Sequence, residues 1–186
     1  MILLGLSRAG KTSVGQLLAE QLSCRFYDTD ELIRIRTGLT PRELYRQSGV
    51  SALHAAEAAV LRECCGLDFA AGANCAVIAA GGGICENAEA SAIIATIPLR
   101  VFLYASEAAL FERLTHDALQ TGYYPAFLRF LPVAQKAEAR HLFTELYTRR
   151  TELYRRSCNL IIDTAGLDCA AAAQKIAEQS SHFPRT

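Results

Sequence analysis

Short apolar runs recur along the chain at Met1–Leu4, Cys24–Tyr27, Cys75–Ala80, Arg100–Tyr104 and Asn159–Asp163. Continuous apolar stretches of this length suit strands buried on both faces. Between them, apolar residues recur at helical spacing, as in Val14, Leu17, Leu18 and Leu22 within the stretch Thr12 to Leu22. Strands that alternate with helices predict an α/β chain in three layers, a five-stranded parallel sheet covered by helices on both faces. Gly81-Gly82-Gly83 stops the third run, and Asp163-Thr164-Ala165-Gly166 stops the last. Such sheets bind ligands beyond the carboxyl ends of their strands, so the loops after the strands are where chemistry is expected.

Two segments interrupt the plain alternation. Residues 31–72 carry helical signals with no strand among them, and residues 121–134 place Gly122, Pro125 and Pro132 among aromatics. Within one domain spanning 1–186, these read as a substrate-binding helical insert and a mobile lid. Ordinary surface elaboration is the alternative. The tail after Ser180 is expected to fray.

The loop after the first run carries the sharpest signal. Gly5-Leu6-Ser7-Arg8-Ala9-Gly10-Lys11-Thr12 completes G-x-x-x-x-G-K-[ST] between an apolar strand and a helix, the context a phosphate-binding loop requires. Gly5, Arg8, Ala9, Gly10, Lys11, Thr12 and Ser13 are therefore the candidate ATP-binding residues. Lys11 is expected to reach the β- and γ-phosphates, and the Thr12 hydroxyl to ligate Mg²⁺. Arg8 either reaches a phosphate or points into solvent. Past the second run stand Asp28 and Asp30, whose spacing points both carboxylates to one side of an extended segment. Beside such a loop, one suits holding Mg²⁺ through water and the other suits orienting or deprotonating an attacking hydroxyl. One of them, Asp30 included, also suits capping a helix over Glu31–Arg36.

Composition excludes more than it adds. With 186 residues, 51% hydrophobic and 20% charged, the chain is long enough for a single buried core. A formal net charge of +0 argues against a nucleic-acid partner. No charge-free apolar run is long enough to span a membrane, and a first run beginning at Met1 leaves no room for a signal peptide ahead of it. The seven cysteines (Cys24, Cys64, Cys65, Cys75, Cys85, Cys158 and Cys169) form no C-x-x-C and no zinc-like spacing. They read as small hydrophobes in a reducing cytoplasm, with a redox role for vicinal Cys64-Cys65 as the alternative.

The ordered set of loop 5–12, Phe26-Tyr27-Asp28-Thr29-Asp30, Thr37-Gly38, Gly81-Gly82-Gly83 and Arg150 with Tyr154 resembles the shikimate kinase family over nearly the whole chain. The resemblance implies a P-loop kinase fold of the nucleoside-monophosphate-kinase type. It also implies transfer of the ATP γ-phosphate to the 3-hydroxyl of shikimate, with Mg²⁺, by a monomer. Asp30 then matches the aspartate at the substrate hydroxyl, with Lys11 as its catalytic partner, and Asp28 matches the magnesium-side carboxylate. Gly82 matches a substrate-binding backbone position, and Arg150 the arginine that grips the substrate carboxylate. A planar guanidinium suits that grip, since it meets a carboxylate with two parallel hydrogen bonds. Arg149, Arg155 and Arg156 leave open that Arg150 is a surface arginine.

Three positions depart from the family pattern. His54 stands where a second carboxylate-binding arginine belongs, three residues before Glu57. Tyr124-Pro125 replaces the arginine–proline pair of the lid, with stacking of Tyr124 on adenine and substitution by Arg129 as expected remedies. Arg8 occupies a glycine position of the loop. A kinase of another small polyol or sugar acid, and a nucleotide-binding relative impaired in catalysis, therefore stand as the alternatives to shikimate kinase.

Overall fold

The computed structural model describes residues 1–70 and 76–180. Five strands, β1 (Ile2–Leu4), β2 (Arg25–Asp28), β3 (Ala76–Ala79), β4 (Arg100–Tyr104) and β5 (Leu160–Asp163), form one parallel sheet in the order β2-β3-β1-β4-β5. The five apolar runs thus became the five strands. Cys75, the final residues of the 31–72 insert and the tail after Ser180 lie outside the described residues.

The alternating helices are α1 (Lys11–Gln21), α2 (Thr29–Thr37), α3 (Pro41–Ala70), α4 (Ala88–Thr96), α5 (Glu107–Thr121), α6 (Lys136–Ser157) and α7 (Cys169–Ser180). Helices α1 and α7 pack together against the sheet, while α4 and α5 each pack on α6. Ile2, Leu3, Val77, Val101, Phe102 and Leu103 are almost wholly buried between the layers. Burial on both faces is why these strands read as unbroken apolar runs instead of alternating ones.

The register brings the functional ends of the strands level. Leu3 pairs with Ala79, and Asp28 pairs with the same Ala79. Residues that leave β1, β2 and β3 therefore emerge at one edge of the sheet, next to one another. The chain winds outward from β1 first toward β2 and later toward β4, so this edge lies beside the point where the winding reverses.

The insert consists of α2 and α3, with α3 broken at Gly49, whose φ of 80° no helical residue adopts. Ile33, Leu44 and Val60 are buried together in an apolar cluster of their own, apart from the main core. The helix cap anticipated near Asp30 belongs instead to Asp28, which accepts from the backbone N–H groups of Asp30 and Glu31. Helix α2 begins two residues earlier than Glu31, which moves the capping position upstream.

The segment 121–134 is a compact loop pinned by an antiparallel bridge between Tyr123 and Pro132. Tyr124 is fully buried and its ring stacks on Phe111 at 5.9 Å, so it is not available to stack on adenine. The apolar environment under the loop outweighs any exposed role for this ring. Arg129 is exposed at a φ of 57°. Phe130 lies beneath Arg42 of the insert, 4.0 Å from its ring centroid, and so ties the loop to α3. Cys24 is disulfide-bonded, against the expectation of reduced thiols, because pairing depends on proximity across the fold and not on sequence spacing. No described helix is long and apolar enough to cross a membrane.

Candidate active site

Strand β1 runs straight into the loop of residues 5–10, which opens α1. Gly10 sits at a φ of 92°, and no side chain caps the helix, so its first N–H groups remain for a ligand. Gly10, Lys11, Thr12 and Ser13 line a cleft of about 410 Å³ together with Asp28 and Asp30. A helix N-terminus with free N–H groups attracts phosphate oxygens. Of the remaining loop residues, Arg8 lines the same cleft. Ala9 is buried in the core instead. Gly5 contributes its carbonyl, which accepts from the Lys11 ammonium at 2.9 Å, as does that of Leu6.

The Lys11 ammonium is held in a costly place. Burial lowers its pKa from the usual 10.5 to about 8, even though the charges of Asp30 and Asp28 pull the other way. The reciprocal effect acts on Asp30. Burial of its carboxyl and the negative charge of Asp28 raise its pKa, and Lys11 only partly offsets them. Asp30 is exposed by surface area, yet its carboxyl lies against protein: a Cβ on Gly81 would stand 2.6 Å from its Oδ1. A carboxylate raised in this way is a better proton acceptor near neutral pH than an ordinary aspartate.

Thr12 Oγ1 donates to Asp28 Oδ2 at 2.7 Å, which joins the two residues expected at Mg²⁺. A hydroxyl and a carboxylate are the hard oxygen donors that this cation prefers. Among the described residues no cluster of three or more His, Cys, Asp or Glu side chains forms a self-sufficient metal cage. A two-residue oxygen site therefore fits a cation completed by water and substrate phosphates.

Opposite this wall stands the glycine triplet, whose first two members are approached too closely for a side chain and whose third is closely covered. A Cβ on Gly81 would strike Asp30; on Gly82 it would strike the Ser7 hydroxyl and lie 2.7 Å from its backbone N; on Gly83 it would lie 3.1 Å from Arg150 Nη2. Hydrogen bonds add two further ties to the triplet. Gly81 N–H donates to Thr29 Oγ1 at 2.9 Å, and Arg150 Nη1 donates to the Gly82 carbonyl at 2.9 Å. The buried Tyr154 hydroxyl stands 3.4 Å from the Gly81 carbonyl, one helical turn beyond Arg150 on α6.

Arg150 faces inward, with 11% of its side chain exposed against 60% for Arg149, so it is no surface arginine. Its Nε and Nη2 donate to Glu86 Oε2 at 3.1 and 2.7 Å. Burial pushes Glu86 up, but Arg150 and Arg149 outweigh it and hold the carboxyl below its usual value. Three of the five guanidinium N–H groups thus have described partners, and two remain for a ligand.

His54 lies on α3 half-buried, and its backbone carbonyl accepts from Asn87 Nδ2 at 2.8 Å. Its ring lies within electrostatic reach of Glu57, which is buried, raised by that burial and hydrogen-bonded to Asn87. Glu57 also senses Asp30 and Arg150, so α3 turns this face toward the site. Sequence reading passed over Thr29, Glu86, Asn87 and Ser7. Thr29 carried a signal as a hydroxyl between two marked aspartates, and Ser7 as a member of the phosphate loop. The others act through contacts distant in sequence.

Comparison with known proteins bears on the chain and its fold as a whole. The family model for shikimate kinase matches residues 8–181. The shikimate kinase of Thiobacillus denitrificans is 33% identical over 89% of this chain and 81% of its own length. That of Chromobacterium violaceum is 30% identical over 98% and 92%. Among solved structures, shikimate kinase from Acinetobacter baumannii in complex with shikimate superposes with a TM-score of 0.77 at 27% identity, over 96% of this chain and 90% of that one.

The triplet yields a first prediction. Gly82→Ala drives a methyl group into Ser7 and is expected to destabilise the protein by about 1–3 kcal/mol, as overpacking does. Urea unfolding measures this, and an unchanged midpoint would mean that the loop and the triplet are not in contact.

Proposed function

The chain belongs to the shikimate kinase family, and from this we propose how its residues divide the work of phosphoryl transfer. It is an ATP-dependent kinase that transfers the γ-phosphate of ATP to the 3-hydroxyl of shikimate. The hydroxyl oxygen forms the new bond to phosphorus, the bond from the γ-phosphorus to the β–γ bridging oxygen breaks, and ADP leaves with those electrons. The observation that carries the division of roles is the convergence of Lys11, Asp28, Asp30 and Gly82 on a single cleft.

In this reading the uncapped start of α1 and Lys11 bind the phosphates, and charge neutralisation with positioning supplies most of the acceleration. Asp30 accepts the proton of the acceptor hydroxyl, a task its raised pKa supports. Thr12 and Asp28 would hold Mg²⁺, which supplies charge neutralisation on the phosphates when bound. The two remaining N–H groups of Arg150 take the substrate carboxylate, and Glu86 and the Gly82 carbonyl hold the guanidinium for it. Action as a monomer, in the cytoplasm where ATP is at hand, belongs to the same proposal.

A second reading, a kinase of another polyol or sugar acid, is favoured by His54. An imidazole brings fewer donors than a guanidinium and no permanent charge to this face.

Three outcomes follow. ADP release by the wild-type chain with Mg²⁺ is expected to depend on shikimate, and Asp30→Asn to abolish it while ATP binding stays near wild type by calorimetry. Loss of ATP binding in that variant would assign Asp30 to the nucleotide instead. His54→Arg is expected to lower the KM for shikimate by roughly tenfold, the worth of one added charged hydrogen bond; an unchanged KM removes His54 from the carboxylate. The third outcome is a pH profile. Since Lys11 loses its proton above about pH 8 in the free enzyme, kcat/KM for ATP is expected to fall about tenfold per unit above that value. Bound phosphate stabilises the ammonium, so kcat holds to higher pH. A flat kcat/KM up to pH 10 would contradict the assignment.

A further inference from the structure

The glycine-rich loop contains an arginine in a conformation that favours glycine. Arg8 has a φ of 68°, a left-handed backbone that side chains other than Asn and Asp seldom adopt. A strained residue kept within a functional loop points to a use for its side chain.

That side chain spans two places. Arg8 lines the phosphate cleft with Lys11, Thr12 and Asp30, and its Nε lies 2.6 Å from Asp117 Oδ2 on α5. The hold is loose. Both side chains are partly exposed, Arg8 by 56% and Asp117 by 33%, and no well-directed hydrogen bond joins them. Exposed pairs of this kind are weak. The backbone is anchored separately, because Arg113 Nη1 donates to the Arg8 carbonyl at 2.8 Å. The guanidinium is therefore free to swing without moving the loop.

The cleft has need of it. The Lys11 ammonium is already shared between two loop carbonyls. Within 121–134 the only basic residue is Arg129, which is exposed, and Tyr124 is buried in the core. A triphosphate brings several negative charges into this cleft, and Arg8 is the cation the loop itself supplies.

We infer that Arg8 is a phosphate-binding residue of the transfer reaction, parked on Asp117 and released to the phosphate oxygens when nucleotide fills the cleft. The inference rests on the kinase reading above. A guanidinium meets phosphate oxygens with paired hydrogen bonds, which Asp117 does not offer it here.

The test compares Arg8→Gly, Asp117→Asn and the double variant in the full chain, by shikimate-dependent ADP formation, Mg–ATP calorimetry and thermal unfolding. Arg8→Gly is expected to lower kcat/KM for ATP roughly ten- to hundredfold, the loss of a charged hydrogen bond, with the shikimate KM unchanged. Its Tm is expected to equal or exceed wild type, since glycine relieves the φ of 68°. Asp117→Asn, which frees the guanidinium, is expected to match or exceed wild type, and the double variant to lose no more than Arg8→Gly. Full kcat/KM in Arg8→Gly overturns the inference. So does an equal loss in Asp117→Asn with a lowered Tm, which would make the pair a structural clasp. If the wild type fails to use shikimate, the acceptor assignment fails, and calorimetry still decides Arg8: weaker Mg–ATP binding in Arg8→Gly sustains its role, and unchanged binding ends it.

Discussion

Three consecutive residues without side chains hold the two halves of this site together. The loop from β1 and the aspartate past β2 press against Gly82 and Gly81 at distances no Cβ would permit, and the arginine of α6 lies close over Gly83. Parallel pairing brings the strand ends level, but level ends alone leave the connecting loops apart by the thickness of their side chains. Removing those side chains exposes backbone polar groups, and the structure uses them. Thr29 takes the Gly81 N–H and Arg150 meets the Gly82 carbonyl. Polar groups in a packed edge must find partners, so the same contacts that close the site also fix its geometry.

Electrostatics sets a second constraint on the same few residues. Lys11 is buried, and Asp30 and Asp28 are close enough to raise its pKa while burial lowers it. Asp30 in turn is raised by burial and by Asp28. Lys11 and Asp30 are thus both held away from their ordinary proton affinities. A polyphosphate would stabilise the ammonium, and a cation held by Thr12 and Asp28 would relieve the repulsion between the carboxylates. The site is arranged for its ligands at some expense to the folded chain, as functional sites commonly are.

Most of the fold was legible because burial on both faces leaves β1, β3 and β4 as unbroken apolar runs, and the less buried edge strands β2 and β5 still stand out as short apolar stretches. Each of the five runs became a strand, and the marked loops lie together at the carboxyl edge. The phosphate loop, Asp28, Asp30 and the glycine triplet were legible as local patterns with a chemical reason. The identity of the capping aspartate was not, since it turned on where α2 begins. Tyr124 misled because an aromatic beside a proline reads the same whether it faces a ligand or a core. Glu86 and Asn87 carried no local sign, since each acts on a residue far along the chain. Arg8 was visible as an oddity, but its left-handed backbone and its bond to Asp117 exist only in three dimensions.

The separate apolar cluster of the insert has a wider consequence. Ile33, Leu44 and Val60 pack with one another and not with the sheet core, and His54 is carried on the same pair of helices. The insert therefore has two attachments: a cluster it keeps to itself, and Leu61 and Cys64 of α3, which it shares with the sheet core. A substitution confined to the first leaves the second in place, so the mouth of the site can change shape while its anchorage to the floor is kept.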